Sequence, residues 1–250
     1  KRCNKELLTP EEYNSPHPNP YNSYGDTYGA HREFLEFTLN QHKQLKDWCE
    51  EYGVVYSTSV WDVTSAKEIT SINQKFIKIP SACNLNKKIL QFLCDNYGGE
   101  IHISLGMTTK EEEEQIVSFL ESQKRAKDAV LYNCTSGYPV PFEDICLLEL
   151  KRIKQSFGQR VKSIGFSGHH LGIAVDSAAV ALGAEWVERH YTLDRTWKGT
   201  DHAASLEPDG VRKLARDCRA VAKVLTYKSK DILDIETFQR NKLKKNQIKW

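Results

Sequence analysis

From Gly53 onward the hydrophobic and polar positions switch between two periods. Short apolar, β-rich runs predict strands over Val54–Ser59, Phe76–Ser81, Glu100–Leu105, Ala129–Thr135, Ser163–Ser167 and Trp186–Thr192. Between them the apolar residues recur at helical spacing. That predicts helices from Val63, over Asn86–Tyr97, Lys110–Arg125, Glu143–Phe157 and Val175–Leu182, and a long one over Pro208–Leu225. Thr108 or Thr109 is placed to cap the third of these, and Gly158 to stop the fourth. Upstream, Phe34, Phe37, Leu45, Trp48 and Cys49 predict a helix over His31–Tyr52. Residues 1–30, rich in Asn, Pro, Tyr and Gly, read as an extended loop, and 226–250 as a C-terminal tail.

Strands that alternate with helices imply a parallel sheet with right-handed crossovers. A length of 250 residues suits one α/β domain of the (β/α)8 TIM-barrel type, spanning 1–250. The pattern holds only six βα units where a closed barrel has eight. The expectation is a chain that starts partway through its barrel, with the first two strands missing.

Composition narrows the partners. The 35 Lys and Arg nearly balance the 33 Asp and Glu, so no basic face for nucleic acid is implied; Lys242 to Lys249 reads as a solvated, Lys-rich end. No apolar run is long enough to span a membrane, and no secretory signal is visible. The seven cysteines form no C-x-x-C pair and no even framework, which fits a reducing cytoplasm.

The chemistry collects at strand ends. Gly165-Phe166-Ser167-Gly168-His169-His170 and Glu188-Arg189-His190-Tyr191-Thr192 each close a strand on a histidine. Parallel neighbours lie about 4.8 Å apart, so His169 and His190 are placed to share one divalent metal. Lys78 sits inside a strand between Ile77 and Ile79; turned towards the helices it would be buried in apolar surroundings, so it is expected at the barrel mouth. Thr58, Ser81, Ser104, Ser136 and Ser167 all fall at strand ends and form a ring of hydroxyls suited to an anion.

The chain resembles the sialic acid synthase family, the phosphoenolpyruvate-dependent synthases of nine-carbon sugar acids. The resemblance rests on ordered motifs: Lys1-Arg2 before a long loop, Tyr56-Ser57-Thr58, Ile77-Lys78-Ile79-Pro80-Ser81, Ser104-Leu105-Gly106-Met107 and Cys134-Thr135-Ser136-Gly137-Tyr138-Pro139. The two histidine motifs follow, then Gly199-Thr200-Asp201-His202 and Ser205-Leu206-Glu207-Pro208. It implies a (β/α)8 barrel and a metal-dependent condensation of phosphoenolpyruvate with a six-carbon aldose, either N-acetylmannosamine-like or phosphorylated. The products would be a nonulosonic acid and inorganic phosphate. It implies Lys78, Asp201 and Tyr138 as catalytic residues, with Tyr138 and Asp201 on the sugar. Thr58, Lys78, Ser81, Ser104, Ser136 and Ser167 would hold phosphoenolpyruvate. His169 and His190 would hold Mn2+, with Mg2+, Co2+ or Zn2+ as alternatives. A homo-oligomer is expected, a dimer first.

The chain also departs from the family pattern. Gly168 and Cys83 stand where many members carry acidic residues, which points to a different sugar; Arg189, Arg195 and Lys198 suggest a phosphorylated one, although Arg189 could equally pair with a helix acid. The family's antifreeze-like C-terminal domain is not expected in the residues after the last barrel helix. The glutamate and lysine usual on the family's first two strands would precede Lys1. Two other readings stay open: a metal-dependent sugar-acid aldolase or lyase on the same barrel, and an incomplete, non-catalytic remnant or partner subunit.

Overall fold

The structure is a computed structural model that describes residues 1–244. Its elements, in chain order, are α1 (Asn4–Leu7), α2 (Pro10–Asn14), α3 (Tyr28–Phe34), α4 (Leu39–Glu51), α5 (Val63–Thr70), β1 (Phe76–Ile79), α6 (Lys87–Asn96), β2 (Glu100–Ser104) and α7 (Lys110–Ser122). There follow β3 (Ala129–Cys134), α8 (Glu149–Phe157), β4 (Ser163–Gly168), α9 (Ala174–Ala181), β5 (Trp186–Arg189), α10 (Pro208–Val224) and α11 (Asp234–Leu243).

The five strands pair in sequence order and all in parallel. They form a curled half-barrel, so the expected closed (β/α)8 wall is only partly present among the described residues. Val54–Ser59, expected as a sixth strand, is not one. Its end makes a single parallel bridge to β1, in which the Lys78 amide donates to the Thr58 carbonyl (3.2 Å) and the Val60 amide to the Lys78 carbonyl (2.9 Å). Val54 and Val55 are more than half exposed; β-branched residues without a cross-strand partner do not hold a strand.

Strand alternation sorts the side chains. Ile77, Ile79, Ile101, Ile103, Leu131, Ile164 and Phe166 turn outward and pack under Ile69, Ile89, Leu93, Leu120, Leu150 and Ile153 of the helices. Each such side chain contributes about 1.5–3 kcal/mol by leaving water. The opposite face carries Lys78, His102, Ser104, Tyr132 and Ser167, and lines the barrel interior.

Local signals explain where the elements depart from expectation. His31–Tyr52 is two helices, because Thr38 and Gln41 form a capping box that starts α4 afresh. Residues 1–30 hold α1 and α2; Thr9-Pro10-Glu11-Glu12 is itself a helix-start signature, with Thr9 and Glu12 in a capping box. The helix expected from Glu143 starts only at Glu149, after a 3-10 turn at Phe142–Asp144 and a left-handed Cys146 (φ 49°). Residues 226–244 are not all tail, since the Leu233 amide donates to the Glu236 carboxylate at 2.8 Å and opens α11. The Lys242 to Lys249 stretch runs beyond the described residues. No helix among the described residues is long and apolar enough to cross a membrane.

Candidate active site

The carboxyl ends of the strands open into a cavity of about 600 Å³. Of the residues expected there, Lys78, Ser81, Ser104, Ser136, Tyr138, Ser167, His169, His190 and Asp201 all line it. Thr58 does not; the bridge to β1 uses its backbone, and Ser59 lines the wall instead. Sequence reasoning missed Glu188, Cys134 and Arg32, which line the same cavity.

Lys78 points to the mouth, on the face opposite Ile77 and Ile79. Its ammonium pairs with both carboxylate oxygens of Glu188. The Ser167 hydroxyl donates to the same carboxylate at 2.8 Å. Burial would raise the Glu188 carboxyl, but Lys78 and Ser167 outweigh it and hold it below its ordinary value, so it is ionised at neutral pH.

The hydroxyls surround this pair. Ser81 accepts from the Gly106 amide at 3.1 Å and lies 3.5 Å from the Cys134 sulfur. The Ser136 hydroxyl is buried without a partner in the protein. A Cβ at Gly106 would stand 2.6 Å from both serine oxygens, so only glycine leaves them room. Asn84 fixes this loop, its side-chain amide donating to the Ser104 carbonyl (2.9 Å) and the Gly106 carbonyl (3.2 Å). An unpartnered hydroxyl in one cavity with an ammonium suits a bound anion better than a finished network.

His169 and His190 follow directly after β4 and β5, their rings edge to face with centroids 5.1 Å apart. Tyr138 packs on both, at 4.5 and 5.4 Å. His169 Nδ1 lies 2.9 Å from the Thr135 carbonyl and must donate to it, which fixes the ring and leaves Nε2 as the acceptor. Burial lowers the His169 pKa, but the Cys134 thiol and the Thr135 carbonyl more than offset this and raise it. Burial likewise raises Cys134, and His169 and Ser81 bring it below its ordinary value. His190 is lowered by burial, and its Nδ1 faces the Asp201 carboxylate at 3.6 Å. Among the described residues no three His, Cys, Asp or Glu side chains form a closed metal cage. Two fixed imidazoles at an open mouth do fit an ion that keeps positions for water and substrate.

A smaller cavity of about 240 Å³ shares Arg32, His190 and Asp201 with the first and adds Lys198. The N-terminal segment builds its wall: Gly199 donates to Asn22 Oδ1 at 3.1 Å, and the Lys198 ammonium lies 5.0 Å from the Tyr24 ring. The buried Arg32 Nε has no partner. Arg189 and Arg195, grouped with Lys198 in the sequence, do not reach this cavity. Arg189 turns outward to Asp176 and His170, and Arg195 is bound to the Ala203 carbonyl. Trp197 packs edge-on against His202.

The chain is similar to known proteins in sequence and in fold. The NeuB family model matches residues 1–230. The chain is 35% identical over 226 residues to the N-acetylneuraminate-9-phosphate synthase of Homo sapiens, covering 90% of this chain and 62% of that protein. It is 31% identical to the N,N'-diacetyllegionaminic acid synthase of Campylobacter jejuni, covering 76% and 56%. The crystal structure of N-acetylneuraminic acid synthetase from Leptospira borgpetersenii in complex with citrate superposes with a TM-score of 0.76 at 28% identity, covering 89% of this chain and 78% of that one. The chain thus spans less than two thirds of the length of these curated synthases. Matched along almost all of its described length, it belongs to the NeuB family, the sialic acid synthase family that its strand-end motifs resemble.

Proposed function

We propose that this chain condenses phosphoenolpyruvate with a six-carbon aldose to give a nonulosonic acid and inorganic phosphate. One observation carries the reading: an anion receptor (Lys78 with Ser81, Ser104, Ser136 and Ser167) and a sugar edge (Tyr138, His190 and Asp201) share one cavity. The phosphate and carboxylate of phosphoenolpyruvate take the ammonium and hydroxyls. The aldehyde carbon then lies towards His169 and His190. The enol carbon bonds to it and the aldehyde oxygen becomes a hydroxyl; a water oxygen bonds to the former enol-ether carbon, and the C–O bond to phosphate breaks to leave a ketone, the two water protons ending on the new hydroxyl and on the departing phosphate.

His169 and His190 would hold a divalent ion, Mn2+ first by ligand type, which supplies Lewis acidity at the aldehyde oxygen. Glu188 is the group placed to take the water proton. Paired with Lys78 it is a weak base; when the substrate phosphate replaces it as the partner of the ammonium, its basicity rises where the proton is released.

The aldose that fits best carries a phosphate at its far end. Arg32 and Lys198 line the adjoining cavity past Asp201, and the human relative is named for a 9-phosphate product. Three carbons from phosphoenolpyruvate place that phosphate on the sixth carbon of the aldose. A lyase of free sugar acids would have no use for the Lys78 receptor.

The test is phosphate release from phosphoenolpyruvate by the purified chain with Mn2+, using N-acetylmannosamine and its 6-phosphate in parallel. Aldose-dependent release, greater with the 6-phosphate and lost on chelation, is expected. Phosphoenolpyruvate bound without release for any hexose would overturn the reading, and equal rates with both sugars would overturn the phosphate subsite.

A further inference from the structure

Beneath Lys78 the barrel interior is filled by aromatic side chains that the proposed reaction does not use. The Lys78 ammonium stands 4.3 Å from the centre of the Tyr132 ring. The Tyr132 hydroxyl meets His102 Nδ1 at 2.8 Å. His102 is fixed in turn, with Phe76 stacked on it at 4.3 Å and Trp186 edge-on at 4.7 Å. Burial lowers His102 to about 4, so at neutral pH it is an uncharged anchor and not a rival cation. Gly165, in register with Tyr132 on the next strand, completes the fit: a Cβ there would stand 2.7 Å from the Tyr132 ring.

We propose that Tyr132 is a positioning residue that seats the Lys78 ammonium for anion binding. The ammonium has two partners of different kinds. Glu188 neutralises it and must give way to a bound phosphate. A ring face attracts a cation without cancelling its charge, so the seat holds through the exchange. Without the ring, the flexible Lys78 stem is free to follow the Glu188 carboxylate, and an arriving anion meets a closed ion pair. The inference rests on the reading of Lys78 as the phosphoenolpyruvate receptor.

The test uses the full chain with phosphoenolpyruvate as the probe, binding being read by calorimetry. Tyr132→Leu and Tyr132→Met are expected to lose about tenfold in affinity, whereas Tyr132→Phe stays within about threefold. Phenylalanines carrying one to three ring fluorines at position 132 keep the shape and drain the ring face. Affinity is expected to fall stepwise along that series, with KM rising and kcat unchanged. A flat fluorine series, or full affinity in the Leu and Met variants, overturns the seat.

A second measurement needs no bound ligand. In lysine-labelled protein the Lys78 side-chain resonances, assigned through Lys78→Arg, are expected upfield by ring current in wild type and Tyr132→Phe, and not in Tyr132→Leu. An upfield shift without phosphoenolpyruvate binding would sink the functional reading and leave the seat standing. Binding without the shift would sink the seat alone.

Discussion

Glu188 and Arg189 are consecutive on β5 and turn to opposite faces of the sheet. Each makes an ion pair with a residue from another element, and the two pairs differ in what surrounds them. Lys78–Glu188 lies in the cavity, where the Glu188 side chain keeps 40% of its exposure and a ligand can reach both partners. Arg189–Asp176 is sealed between β5 and α9, at 3% and 0%. Arg189 also donates to the carbonyls of His170 and Gly172, clamping the turn that follows the metal-candidate His169. Asp176 Oδ1 and Arg189 Nε find no partner, so that pair is costly to bury and costlier to break. The difference teaches that similar ion-pair chemistry on adjacent residues serves two ends. An accessible pair can exchange its partner, and a sealed one can only hold.

Breaking the sealed pair should have the largest effect. Arg189→Leu leaves the buried Asp176 carboxylate facing only the His170 imidazole at 3.3 Å, and is expected to cost about 3–5 kcal/mol in urea unfolding. Removing both charges in Arg189→Leu/Asp176→Leu should recover part of that loss, and no recovery would mean the arginine acts mainly through the two carbonyls.

The accessible pair should respond in rate and not in stability. Glu188→Gln keeps a hydrogen-bonding group on Lys78 and is expected to change stability by less than about 1 kcal/mol while lowering kcat about 10²–10³-fold. A stability loss matching that of Arg189→Leu would erase the contrast between the two faces.

Acid sharpens the comparison further. Glu188 titrates below its ordinary value of 4.5 in the folded chain, so its contribution to stability is complete above 4.5 and is lost as pH falls through the lower folded value. Wild type should therefore lose more stability than Glu188→Gln between neutral pH and the acid side of 4.5, measured by thermal unfolding across pH.

The smallest effect is expected where water reaches everything. Arg160 bridges Glu114 and Glu121 on α7, and its hydrogen bonds, then that of Ser118, hold Glu114 at about 2. Arg160→Ala should still cost only about 0.5–1 kcal/mol, less at high salt, because an exposed pair is screened.

Much of the scaffold was legible in the sequence, because each strand from Phe76 to Gly168 carries an apolar face that only one register can bury. Val54–Ser59 misled, since its β-branched residues report propensity and not a partner. Lys78, His169 and His190 were legible as chemistry in apolar strands or at their ends. Glu188 was missed, although its place two residues before His190, at the end of the same strand, is a signal that could have found it. Tyr132 and His102 were not legible. Their meeting depends on the stagger between β2 and β3, and strand sequences alone do not state a stagger. Arg32 arrives on a helix from the N-terminal segment, and no local spacing links it to a cavity at the carboxyl ends of the strands.

The missing side chain at Gly165 has a consequence for how this protein can change. Its space is already occupied by a ring from the neighbouring strand and crowded by the Cβ of Trp186. Positions 132 and 165 are therefore sterically coupled. A larger residue at 165 would need both a smaller side chain at 132 and a shift of Trp186, and the lysine would then lose the ring it rests on.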